Sequence, residues 1–117
     1  MSNAYQLAVY KQSYALNRHV YQLTKKFPKD LKHTLGQEFF HSCLKLIAQI
    51  IKANQADVKQ IEISNAVSEV EILYTYARMS QDFKAMTMGE FQVLSEHLSE
   101  ISSQLKSWLN WDRKQNK

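Results

Sequence analysis

The sequence predicts an all-α fold, an up-down antiparallel four-helix bundle forming one domain over residues 1–117. Three observations carry this. Glycine and proline are scarce, at two residues and one, and no stretch alternates β-branched with polar residues, so turns and strands of a sheet lack material. Apolar residues recur at spacings of three and four along four long segments. The breaks between segments are short, which favours antiparallel neighbours.

The first helix is expected near residues 4–26, with Leu16, Val20, Leu23 and Phe27 as its core row. Phe27-Pro28-Lys29-Asp30 ends it, because proline neither donates a backbone hydrogen bond nor fits a helix interior. A loop through Lys32 leads to the second helix, near 34–54. There Thr34-Leu35-Gly36-Gln37 sets a threonine three residues before a glutamine, the arrangement of a capping box. After Lys52-Ala53-Asn54-Gln55, a third helix near 57–84 presents the seam Ile63, Val67, Val70, Tyr74 and Ala77. The fourth, near 88–111, opens on a second capping-box pattern, Thr87-Met88-Gly89-Glu90. Its narrow seam of Phe91, Leu94, Leu98, Ile101, Leu105 and Trp108 suits shallow antiparallel packing on the third helix. Both glycines fall in first helical turns, where a missing side chain lets another backbone come close. Trp108 belongs to the core, Trp111 beside Arg113 and Lys114 is expected at the surface, and residues 112–117 are expected to fray.

Cys43, among Phe39, Phe40, Leu46 and Ile47, reads as a small buried hydrophobe. A single cysteine cannot pair within the chain, which fits a reducing compartment. No apolar stretch approaches the roughly 20 residues that span a bilayer, and the start of the chain lacks a basic region followed by an apolar run. The expected location is cytoplasmic, with no membrane partner.

Charge is polarised. Through Lys59 the chain holds nine Lys and Arg against three Asp and Glu, a net of +6, and the remainder holds six against eight, a net of −2. Within the basic half, Lys11, Arg18 and Lys25 recur every seven residues on the first helix, and Lys45 and Lys52 do so on the second. Seven residues turn a helix by about 700°, so such side chains stay nearly in line, about 10 Å apart. Lys26, Lys29 and Lys32 continue the cationic surface through the connection. A polyanion is the partner that such a surface suits, by phosphate contacts that do not read bases.

Apolar surface exceeds what a monomeric bundle needs. Tyr10, Tyr14 and Tyr21 align beside the basic row of the first helix, and Ile61, Ile72 and Met79 project opposite the main seam of the third. On the second helix apolar residues cover about half the circumference. Exposed rows of this length mark interfaces, so a homo-oligomer is expected. The tyrosines have two readings: packing between subunits, or stacking on unpaired bases.

Catalysis has little material. Glu38-Phe39-Phe40-His41 has the Glu-x-x-His spacing of di-iron bundles but no second copy, and Glu62, Glu69 and Glu71 are expected to face water. His19, His33, His41 and His97 are dispersed, with no His-x-x-x-His pair for zinc. Nor does Arg18 or Arg78 have a histidine four to six residues later, as one class of helical ribonuclease requires. No nucleophile and base pair or phosphate-cradling glycine loop occurs, so no enzyme activity, cofactor or metal is expected.

The succession Phe27-Pro28-Lys29, Thr34-Leu35-Gly36-Gln37, Ala53-Asn54 and Ser103-Gln104-Leu105-Lys106-Ser107-Trp108-Leu109 resembles the Avd family over about Tyr10 to Leu109. These are accessory variability proteins of diversity-generating retroelements, similar to four-helix proteins encoded in ribosomal RNA intervening sequences. The resemblance implies a four-helix protomer in a ring-like pentamer with a positive surface. Its implied partners are a reverse transcriptase and template RNA or an RNA–DNA hybrid. The alternative, in the manner of the intervening-sequence proteins, is an oligomeric scaffold or protein-interaction module that binds no nucleic acid.

Overall fold

Segments rich in Leu, Ala, Gln and Glu wind into four long helices and one short turn of helix: α1 (Ala4–Lys25), α2 (Lys29–Lys32), α3 (Leu35–Gln55), α4 (Gln60–Asp82) and α5 (Met88–Gln115). The computed structural model describes residues 4–116, with side chains from Ala8 onward, and no strand occurs among the described residues. α1 packs on α3 and α5, and α4 packs on the same two helices. The long helices therefore close a four-cornered bundle with α1 and α4 on opposite corners, measuring 49 × 22 × 18 Å.

The seams meet inside. Leu16, Val20, Leu23 and Phe27 of α1 join Phe39, Cys43, Leu46 and Ile50 of α3, Ile63, Val70, Leu73 and Ala77 of α4, and Leu94, Leu98, Ile101, Leu105 and Trp108 of α5. Each large aliphatic or aromatic side chain so buried contributes about 1.5–3 kcal/mol of transfer free energy. Val67, Tyr74 and Phe91 flank this core half-buried. Tyr74 spends its hydroxyl on the Ser95 carbonyl of α5, 3.1 Å away.

The α1–α5 joint is more polar at its rim. The imidazoles of His19 and His97 stack with centroids 6.3 Å apart and planes at 25°. His97 Nε2 lies 3.1 Å from the Gln12 carbonyl oxygen, and the Lys26 ammonium meets Glu90 at 3.3 Å. Burial, first, and then the adjoining His97 hold the His19 imidazole below its ordinary pKa. Glu90 is held low chiefly by the Thr87 backbone N–H that it accepts, and further by Lys26.

The two capping-box patterns diverge. At Thr87 the box forms: the Glu90 N–H donates to Thr87 Oγ1 at 3.1 Å, and the Thr87 N–H donates to Glu90 Oε1 at 2.9 Å. Thr34 caps nothing with its side chain; its hydroxyl donates to the Asp30 carbonyl at 2.9 Å instead. The reason is α2, a helical turn in place of the expected loop, which folds back immediately before Thr34 and offers that carbonyl. Gly36 sits against it, so that a Cβ there would stand 3.3 Å from the Leu31 carbonyl oxygen.

Three further expectations are corrected. Glu69 does not face water: it is buried and accepts a hydrogen bond from the Ser42 hydroxyl of α3. Trp111 is half-buried against the core rather than at the surface. Residues 112–115 continue α5 instead of fraying. Asp112 is buried and accepts from the Lys59 N–H at 3.2 Å, which anchors the end of α5 to the α3–α4 connection.

Candidate nucleic-acid interface

On the face shared by α1 and α3 two depressions that share residues form one furrow along the joint. Its floor is set by Asn17, whose amide donates to the Ser13 carbonyl at 2.8 Å within α1 and to the Cys43 carbonyl at 3.2 Å across on α3. Above that tie one depression of about 320 Å³ is walled by Tyr14 and Tyr21 from α1 and by Phe40, Leu44 and Ile47 from α3. A second, of about 240 Å³, shares Tyr21 and Phe40 and extends past Gly36 to Lys32, His33 and Gln37. The walls are accessible: Tyr14 is 54% exposed, Tyr21 47% and Leu44 45%.

Cations edge this aromatic trough. Arg18 lines the first depression, and Lys25 and Lys32 line the second. The Lys25 ammonium stands 5.1 Å from the centroid of the Tyr21 ring, and that ring tilts at 50° against Phe40 with centroids 5.8 Å apart. A cation over a ring face within about 6 Å is attracted by the ring quadrupole by about 0.5–1 kcal/mol at an exposed site, which biases Lys25 toward the Tyr21 ring without fixing it there.

The remaining predicted basic residues are distributed elsewhere. Lys11 is exposed beside Ala8, Gln12 and Ala15, continuing the Arg18 and Lys25 row toward the start of α1 beyond the two depressions. Lys26 turns toward α5 and is paired with Glu90. Lys29 is exposed on α2. Lys45 follows Ser42, which bonds Glu69 of α4, by three residues, so it stands on the α4 side of α3, and Lys52 lies two turns further along the same row. The structure thus gathers Arg18, Lys25 and Lys32 on one furrow and leaves Lys45 and Lys52 on the adjoining face.

Of the predicted interface residues, Tyr14 and Tyr21 are furrow walls, and Tyr10 is half-buried with its ring centroid 6.4 Å from that of Tyr14. Ile61, 73% exposed, and Ile72 project from α4. Met79 is half-buried in a groove with Tyr74, Arg78 and Phe91. The α3 wall of Phe40, Leu44 and Ile47 is not singled out by sequence. Its signal is the excess apolar arc of that helix, but which neighbour the arc faces is a tertiary fact.

Neither Cys43 nor the carboxylates form a reactive cluster. Burial, with Glu69 adding to it, pushes the Cys43 thiol far above its usual range. Glu38 and His41 are both exposed on α3. Among the described residues no three His, Cys, Asp or Glu side chains stand close enough to hold a metal ion, and no helix is long and apolar enough to cross a membrane.

No curated protein sequence matches the chain. A family model described as bAvd-like matches residues 7–111, from α1 to the last turns of α5. That span takes in every helix and both walls of the furrow, and the chain belongs to the bAvd-like family.

Proposed function

We propose that this protein is a non-catalytic accessory of a diversity-generating retroelement. On this reading it holds template RNA, or an RNA–DNA hybrid, for a partner reverse transcriptase by phosphate contacts from α1, α2 and α3, and works as a homo-oligomer, a ring-like pentamer. Family membership supports the retroelement role at the family level. The observation that carries nucleic-acid binding is the furrow: Arg18, Lys25 and Lys32 edge one aromatic trough. Among the described residues Lys26 alone of the eight predicted basic side chains has a carboxylate within ion-pair distance. Unneutralised cations at this density release counterions when a polyanion replaces them.

The test is anisotropy of a labelled single-stranded RNA titrated with the full chain over a range of salt. Removing one phosphate-binding cation should flatten the slope of log affinity against log salt by about 0.7, so Arg18→Ala with Lys25→Ala should flatten it by about 1.4. An unchanged slope removes both residues from the interface. Absence of binding by the wild-type chain at physiological salt favours the alternative, a helical scaffold, which the exposed Ile61, Ile72 and Val58 support.

A further inference from the structure

We infer that the α1–α3 furrow takes unpaired bases of a single strand, which stack on Tyr14 and Tyr21 while Arg18, Lys25 and Lys32 hold the flanking phosphates. This rests on the nucleic-acid reading above and names the kind of polymer that the site selects.

The sequence of α1 sets the pattern. Tyr14 is followed four residues later by Arg18, and Tyr21 four residues later by Lys25. Each pair is therefore an aromatic platform with a cation one turn beyond it. The two pairs are seven residues apart, so the platforms repeat about 10 Å along one helix face. Across the furrow the Phe40 ring meets the Tyr21 ring at 5.8 Å, tilted by 50°, and the Lys25 ammonium stands 5.1 Å from the Tyr21 centroid; the ring is 47% exposed, and a base that stacks on it moves the flexible Lys25 side chain from the ring to the flanking phosphate.

Duplex fits this surface poorly. Its bases are already stacked on one another, so it offers backbone to the cations and nothing to the rings, whereas a single strand offers both. A second copy of the chain is also a poor occupant. It would have to take Arg18 and Lys25 out of water, and buried cations without matched carboxylates cost several kcal/mol. Phosphates neutralise the same groups where they stand.

The experiment compares a labelled oligoadenosine strand with its duplex by anisotropy, using wild type, the double variant Tyr14→Leu/Tyr21→Leu, and Tyr21→Trp, with light scattering on each. Leucine keeps the apolar wall and removes the platform. The double variant should bind the single strand about 5- to 100-fold more weakly, with duplex affinity and salt slope unchanged. Tyr21→Trp should bind the single strand at least as well as wild type. Single-strand affinity unchanged in the double variant, or equal weakening for strand and duplex, overturns the inference while leaving the phosphate contacts in place. A change of oligomer size in the double variant overturns it in favour of a second copy in the furrow. If wild type binds neither polymer, the underlying nucleic-acid reading falls and the inference with it.

Discussion

A Cβ added at Gly36 would stand 3.3 Å from the Leu31 carbonyl oxygen and 3.4 Å from the Phe27 ring, whereas one at Gly89 would meet nothing nearer than Thr87 Oγ1 at 3.9 Å. Gly36→Ala should therefore press α2 outward by a few tenths of an ångström; overpacking of about 1–3 kcal/mol, offset in part by the about 0.4–1 kcal/mol that alanine gains over glycine, leaves a net loss of stability. Gly89→Ala should raise it by about 0.4–1 kcal/mol, through the entropy of the unfolded chain. Urea midpoints of the two variants, moving in opposite directions, are the check. In sequence these glycines look alike, each two residues past a threonine. What separates them is α2, at four residues too short to show a helical period. Protonation is equally local. His19 is kept neutral by burial and by His97, below its ordinary pKa near 6.5. A base held low when folded leaves the unfolded chain with more protons, so stability is full above that value and falls as pH drops below it. His19→Gln should flatten the decline in melting temperature between about pH 7 and pH 5.

At the scale of the element, helix ends separate what can be read from what cannot. α4 closes in a Schellman arrangement: the Ala85 N–H donates to the Ser80 carbonyl at 2.8 Å and the Lys84 N–H to the Gln81 carbonyl at 3.0 Å. The pivot, Lys84, has φ of 64°, a left-handed conformation that favours glycine. Lys84→Gly should relieve about 1 kcal/mol, seen as a raised midpoint in thermal unfolding. Lacking a glycine, this stop is not legible from composition; the sequence carries the helix to about residue 84, two residues past its end at Asp82. The seams of α1 and α5 are legible, since Leu16, Val20, Leu98 and Leu105 follow the helical period. Asp112 and Glu69 are not. Each is buried by a partner from a distant segment, the Lys59 N–H in one case and the Ser42 hydroxyl in the other, and no local period reports such a partner. On α3, the Lys59 ammonium closes the C-terminal end by donating to the carbonyls of Ala53, Asn54 and Ala56. That cap is supplied from beyond the end of the helix.

For the whole molecule, the charge rows are readable as rows but not as surfaces. Helical spacing aligns Arg18 with Lys25 and Lys45 with Lys52, yet only the crossing of α1 over α3 decides that the former row borders an aromatic trough and the latter faces the adjoining side. Ile61 and Ile72 of α4 lie outside that trough as well. Contacts made through α4 would therefore leave the trough open on every copy. A polymer long enough to run from one subunit to its neighbour would then meet another trough at high effective concentration. Avidity, not a stronger individual contact, would govern retention. Apparent affinity should climb gently with strand length up to one subunit's reach and then rise by roughly 10²-fold or more once two are bridged, a step measurable with a ladder of oligonucleotides.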